Sequence, residues 1–183
     1  MIDKVIKDKL SEAKLLKSQY RRKEIRKYLD YYSGTSTEEY IRPYFQGDAF
    51  SEIPPALQNF TRKFINKVSG IYTLGAKRNV ESDKYTELTP TKDVRMKHSE
   101  RMTRLLGTIA NRVYWNDGVF DYRPIYYFEA YFDENPFKPT AIIYPLLNKT
   151  ADLSDNEGLQ WEYWDSEKYI TMNEDGDMQN EKD

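Results

Sequence analysis

Val113-Tyr114-Trp115-Asn116-Asp117-Gly118-Val119-Phe120-Asp121-Tyr122 is where the hydrophobic period of this chain changes. On its N-terminal side Val94, His98, Met102, Leu105, Leu106, Ile109 and Val113 recur mostly at steps of three and four, the period of a helix with one apolar side. Thr91 or Asp93 is placed to cap that helix and Asn116-Asp117-Gly118 to end it. On the C-terminal side Val119 to Phe132 and Thr140 to Leu147 are dense in Tyr, Phe, Ile and Val. Asn135-Pro136-Phe137-Lys138-Pro139 supplies a turn between them, so they read as paired strands. A helical period that gives way to strands at Gly118 predicts an α+β fold, N-terminal helices followed by an antiparallel β-meander.

Working toward the N-terminus, Leu57, Phe60, Phe64, Val68, Ile71 and Tyr72 fall at helical spacing, with Arg62, Lys63 and Lys67 on other faces, until Gly75. Pro54-Pro55 closes the loop before this helix, and a polar connection from Thr73 to Thr89 follows it. Upstream, Thr37-Glu38-Glu39 gives a cap and an acidic first turn for a short helix that Pro43 and Gly47 stop. The first segment places Ile2, Val5, Ile6, Leu10, Ala13, Leu16 and Tyr20 on one helical side, and continues or restarts through Ile25, Tyr28, Leu29 and Tyr32. Ser33-Gly34-Thr35 terminates it; residues 3–32 would span about 45 Å as one helix. Tyr20 to Lys27 is the densest basic cluster, either a solvated helix face or a contact for nucleic acid or an acidic protein.

Working toward the C-terminus, Asn148 to Gly158 reads as an acidic loop, and Leu159 to Trp164 and Lys168 to Met172 as short strands around Asp165-Ser166-Glu167. Asn173-Glu174-Asp175-Gly176 sets up a hairpin turn, yet only seven residues follow it and none is strongly β-forming. The returning strand is therefore expected to be missing, and the 183 residues to be the N-terminal part of a longer polypeptide whose open edge invites another chain.

The charge follows the same boundary. Residues 1–116 hold 23 Lys and Arg against 14 Asp and Glu, a net +9, and residues 117–183 hold 5 against 16, a net −11. A helical basic region, 1–116, thus precedes a β-rich acidic region, 117–183, and the two should attract each other or matching surfaces on neighbouring copies. Sixteen Tyr in 183 residues, and 15% aromatic residues overall, supply a folded core, while a mean hydropathy of −0.86 implies a large wet surface or a partner surface. No apolar stretch approaches the roughly 18 residues of a membrane span, and Met1-Ile2-Asp3-Lys4 opens no signal segment. The expectation is a protein that stays inside the cell, or is packaged from inside it, with no membrane partner.

Reactive chemistry is hard to assemble from these residues. With no Cys there is no disulfide, thiolate nucleophile or zinc ribbon. The one His, His98, falls on an apolar helix side, where a core or boundary role is expected rather than catalysis. The eight Gly stand apart, so no phosphate-cradling loop forms. The acidic clusters at 152–157 and 173–177 miss calcium-loop spacing and read as turns. The expectation is no catalytic residue, metal or cofactor, hence not an enzyme. Trp161 and Trp164 lie in the acidic half, where phosphate is repelled, so packing in a sheet or at a subunit interface is expected of them.

The order of features resembles that of the tailed-bacteriophage portal proteins, the head-to-tail connectors. Arg26-Lys27-Tyr28-Leu29-Asp30-Tyr31-Tyr32-Ser33-Gly34 is similar to that family's early helix end, and Asn59 to Tyr72 to its next, Asn-led helix. Trp161-Glu162-Tyr163-Trp164-Asp165, Lys168-Tyr169-Ile170 and Asp175-Gly176 resemble a recurring strand, strand and turn. The resemblance implies the peripheral wing of a ring-forming structural subunit at the capsid vertex of the virion. Double-stranded DNA passes through such a ring, and terminase, capsid and tail-adaptor proteins are its partners. The stem and clip that line the channel lie beyond the part resembled. With the charge division, this predicts head-to-tail self-association in which Arg21, Arg22 and Arg26 orient subunits and Trp161 and Trp164 supply buried contact. The alternatives are a small nucleic-acid-binding regulator that uses the Tyr20 to Lys27 cluster, and a metal-dependent hydrolase built on clustered carboxylates.

Overall fold

A computed structural model describes residues 4–35, 39–40, 43, 59–71, 80, 84–146 and 159–182. The starts expected for the short helix at Thr37 and for the Leu57 helix, the Pro54-Pro55 loop, most of the 73–89 connection and the acidic loop at 148–158 lie outside these residues. The chain is α+β, with helices α1 (Lys4–Ala13), α2 (Leu16–Ser33), α3 (Phe60–Val68), α4 (Tyr85–Leu88) and α5 (Lys92–Leu106). Strands follow as β1 (Ala110–Asn116), β2 (Val119–Ile125), β3 (Glu129–Tyr131), β4 (Ala141–Leu146), β5 (Gln160–Asp165), β6 (Tyr169–Met172) and β7 (Met178–Lys182). Backbone proximity divides the chain into two compact units, one of residues 1–25 with 127–183 and the other of residues 26–126. The division expected at 116/117 is not the one the fold adopts: the first helix joins the strands that come last.

In the first unit, β3 to β7 form an antiparallel meander in chain order. Helix α1 lays Ile6, Leu10 and Ala13, spaced four and three apart, onto a face built from Ala141, Ile143, Trp161, Tyr163, Ile170 and Met172. Each Ile, Leu or Met among them stabilises by about 1.5–3 kcal/mol when fully buried. The strand expected to be missing is present: β7 pairs with β6, Thr171 opposite Asn180. Its alternation is not hydrophobic, so the turn specifies it. Asn173 Oδ1 accepts from the N–H groups of Asp175 at 3.1 Å and Asp177 at 2.7 Å, and Gly176 adopts φ +80°. A Cβ on Gly176 would also stand 3.3 Å from Leu10 Cδ2, so the tight turn and the α1 packing demand the same glycine.

The long first helix restarts rather than continues. After α1 the Leu15 N–H reaches back only three residues, to the Glu12 carbonyl at 3.1 Å, and α2 begins at Leu16. Helix α2 ends at Gly34, φ +81°, as its glycine terminator predicts.

In the second unit, β1 and β2 form a hairpin closed by Asp117 at φ +47° and Gly118 at φ +84°, both in the left-handed region that a two-residue turn requires. The third helix was expected to run to Asn116, and here the structure corrects the reading. Gly107, φ +87°, ends α5, and Ile109 and Val113, which also satisfy a helical period, belong to the approach to β1 and to β1 itself. Helix α3 starts where Asn59 caps it: its Oδ1 accepts from the Arg62 N–H at 2.8 Å, while its Nδ2 donates to the Tyr32 carbonyl at 2.8 Å.

Candidate assembly surfaces

The basic run of α2 does not form one exposed face. Ser18, Arg22 and Ile25, spaced four and three apart, turn inward. Arg22 is fully buried, its guanidinium 5.4 Å from the ring centres of both Tyr127 and Trp161, and its Nη1 donates to the Ala13 carbonyl at 3.1 Å, at the end of α1. Burial pulls the Arg22 pKa below its ordinary value, with Tyr127 and Glu129 acting the other way. Trp161 is fully buried as well, and its indole N–H has no hydrogen-bond partner among the described residues. The interface role expected of Arg22 and Trp161 is therefore corrected: they meet each other in the interior and have no surface to offer a neighbour.

The remaining candidates divide differently. Arg21 is half exposed, 3.7 Å from Glu129, and Arg26 is exposed in the other unit. Trp164 is partly buried on the sheet face opposite α1; its Nε1 donates to Tyr144 Oη at 3.1 Å and its ring lies 4.3 Å from that of Tyr169. Sequence spacing held the signal for Arg22, since it shares the inward period of Ser18 and Ile25, but a cation among cations masks it.

Several carboxylates and hydroxyls among the described residues are tied into hydrogen-bonded clusters. In the first unit Glu129 accepts from Ser18 Oγ at 3.0 Å and from Tyr127 Oη, and burial, then this hydrogen bond, pushes the Tyr127 pKa up to about 12. Glu162, buried, accepts from Tyr169 Oη at 2.7 Å and from Tyr144 Oη. In the second unit Asp121 accepts from Arg95 Nε and Nη2, both at 3.1 Å, from Thr91 Oγ1 at 2.9 Å and from Tyr114 Oη at 3.1 Å. The Arg95 fork, with the Tyr122 N–H and Thr91, holds the Asp121 carboxyl well below its usual range. His98 Nε2 lies 2.8 Å from Tyr126 Oη, half-buried as its helix position predicts, and burial with Arg101 and Arg95 lowers its pKa. Among the described residues no group of three or more His, Asp or Glu is placed to hold a metal ion. An open groove of about 530 Å³ beside α5 is lined by Ile71, Met96, Ser99, Glu100, Thr103 and Arg104, where Glu100 accepts the Ile71 N–H at 3.1 Å.

Exposed apolar side chains stand out against this background. The Phe60, Phe64 and Val68 side of α3, whose helical spacing the sequence shows, faces outward, and Ile65 is the residue it buries. Phe60 is 70% exposed and Phe64 65%. At the hairpin tip Trp115, 57% exposed, meets Phe120 edge to face at 4.7 Å. In the β3–β4 loop Phe137 is 94% exposed. Periodicity finds the α3 stripe but not which way it points; the Phe137 loop carries no periodic signal at all.

Among the described residues no helix is long and apolar enough to cross a membrane. No family model, curated protein or solved structure matches this chain.

Proposed function

We propose that this chain is a structural assembly subunit, the wing part of a portal ring at a phage capsid vertex, which binds copies of itself and its capsid, terminase and tail-adaptor neighbours and catalyses nothing. The observation that carries the reading is the outward-facing Phe60, Phe64 and Val68 stripe on a capped, regular helix, a large apolar surface of the kind that marks protein contact sites. The tying of the Asp121, Glu129 and Glu162 carboxylates into tyrosine and arginine contacts supports a scaffold rather than a reaction centre. A heterologous contact repeated around an axis closes a ring, and the double-stranded DNA would pass through it, with the channel wall built from other parts of the subunit.

The nucleic-acid alternative has less to work with, because Arg22 of the Tyr20 to Lys27 cluster is buried under Tyr127 and Trp161. Electron microscopy of the protein expressed with the gene's natural flanks tests the proposal. The expected result is closed rings of one subunit number with a central channel; a protein that stays monomeric at every concentration and salt level would overturn it. Charge reversal belongs at Arg21 and Arg26, since at buried Arg22 it would disrupt the fold rather than an interface.

A further inference from the structure

The two units carry exposed apolar surfaces of opposite character. On α3, Phe60, Phe64 and Val68 are spaced i, i+4, i+8, and Ile71, 70% exposed, lies just beyond. The helix also bears Arg62, Lys63 and Lys67 and no acidic residue. Together these side chains expose on the order of several hundred Å² of apolar surface, the scale of an interaction patch.

The loop between β3 and β4 is the counterpart. Phe137 projects 94% exposed and Phe132 48%, beside exposed Asp133 and Glu134, with Lys138 as the loop's one cation. The loop is shaped by its own hydrogen bonds. The Phe137 N–H donates to Asn135 Oδ1 at 2.9 Å, and the Thr140 N–H donates to the Tyr131 carbonyl at 2.8 Å, while Pro136 and Pro139 restrict the backbone on either side. A loop already in shape loses little freedom when it binds.

We infer that α3 of one copy receives the β3–β4 loop of a second copy, with Phe137 seated against Phe60, Phe64 and Ile71, and Asp133 and Glu134 within reach of the α3 cations. The inference rests on the assembly reading above and names its contact. Each surface supplies what the other lacks, a basic apolar stripe against an acidic aromatic knob, and one chain carries both. Two different patches give a head-to-tail contact that repeats from copy to copy. An anionic lipid surface could attract the Phe and Lys of α3, but it would repel the acidic loop and give Phe137 no role.

The absence of Cys makes the test direct. Phe64→Cys and Phe137→Cys are prepared in separate, differently tagged full chains and mixed under mild oxidation. The expected result is a mixed disulfide forming at least tenfold faster than either symmetric one. Predominantly symmetric dimers would overturn the inference, as would a chain carrying both substitutions that closes on itself at high dilution. Wild-type chain that pellets with phosphatidylserine-containing vesicles through Phe64, without mixed pairing, would overturn it in favour of lipid. Both positions are exposed, and circular dichroism of each variant checks folding. If the wild-type chain assembles but the mixed pair does not form, this contact is wrong and the ring reading survives. If the pair forms but assembly ends in open filaments, the contact stands and the ring reading falls.

Discussion

The sheet unit and the hairpin unit spend their apolar residues in opposite ways. The first seals Trp161, Ile143, Ile170 and Met172 beneath α1, with a cation, Arg22, at the centre of the aromatic layer. The second has few buried apolar side chains among its described residues, Ile65, Met102, Tyr122 and Ile125, and leaves Phe60, Phe64, Trp115 and Ile71 in water. Its hairpin is fastened to α5 by polar contacts on Asp121 instead. The difference teaches where stability resides: a buried layer resists change, whereas exposed aromatics on polar fastenings stabilise the fold little, and it is on these that the proposed contact is placed.

The largest effect should come from the sealed layer. Trp161→Ala removes the largest fully buried side chain and is expected to cost about 3–5 kcal/mol in denaturant unfolding, while a loss below about 1 kcal/mol would break the contrast. Next, Arg22→Ala should cost about 2–4 kcal/mol, because it removes two desolvated cation–ring contacts and the donor to the Ala13 carbonyl. Arg22→Lys should recover less than half of that, since an ammonium lacks the planar face; full recovery would reduce the site to a simple charge.

How far this comparison could be read from sequence follows from the same residues. Spacing finds α1, α3 and α5, and Asp175-Gly176 marks the turn expected of it, whereas Asp117-Gly118, read as a helix end, closes a hairpin instead. It fails where one pattern satisfies two structures: Ile109 and Val113 fit a helix, yet the left-handed backbone at Gly107 sends them toward a strand. It fails at β7, whose Met178–Lys182 sequence has no strand-like alternation and is held by the β6 ladder. For the candidate contact residues, composition marked the basic run of α2, but burial is decided by partners distant in sequence, Tyr127 and Trp161. The charge division was visible, and within the first unit it is partly used up internally, as Arg21 beside Glu129 shows.

Acid and base should separate the units further. The Asp121 carboxyl is depressed, so its stabilising contribution is complete above its unfolded value of about 4 and is lost as pH falls through the lower folded value. The protection of the β1–β2 amides against hydrogen exchange, relative to their intrinsic rates, should fall in acid, and Asp121→Asn should remove that dependence. Tyr127 is shifted the other way, to about 12, so its contribution is complete below its unfolded value of about 10 and is lost as pH rises through the folded one. Unfolding of the sheet unit should therefore follow alkaline tyrosinate absorbance, and Tyr127→Phe should blunt it. The smallest effect is assigned to the exposed stripe: Phe64→Ser should shift unfolding by no more than about 0.5 kcal/mol. A larger loss would mean that the stripe supports the fold and is not free for a partner.

The joining of residues 1–25 to residues 127–183 sets a clock on synthesis. When α1 leaves the ribosome, the first of the strands that cover Ile6 and Leu10 is still roughly 130 residues away and the last roughly 160, a delay of about 6–32 s at roughly 5–20 residues per second. During that interval an amphipathic helix waits in water without its sheet, and its own lysines, Lys4, Lys7 and Lys9, help keep it soluble until β4 to β6 arrive. These lysines thus have a task during translation, before the sheet they border exists.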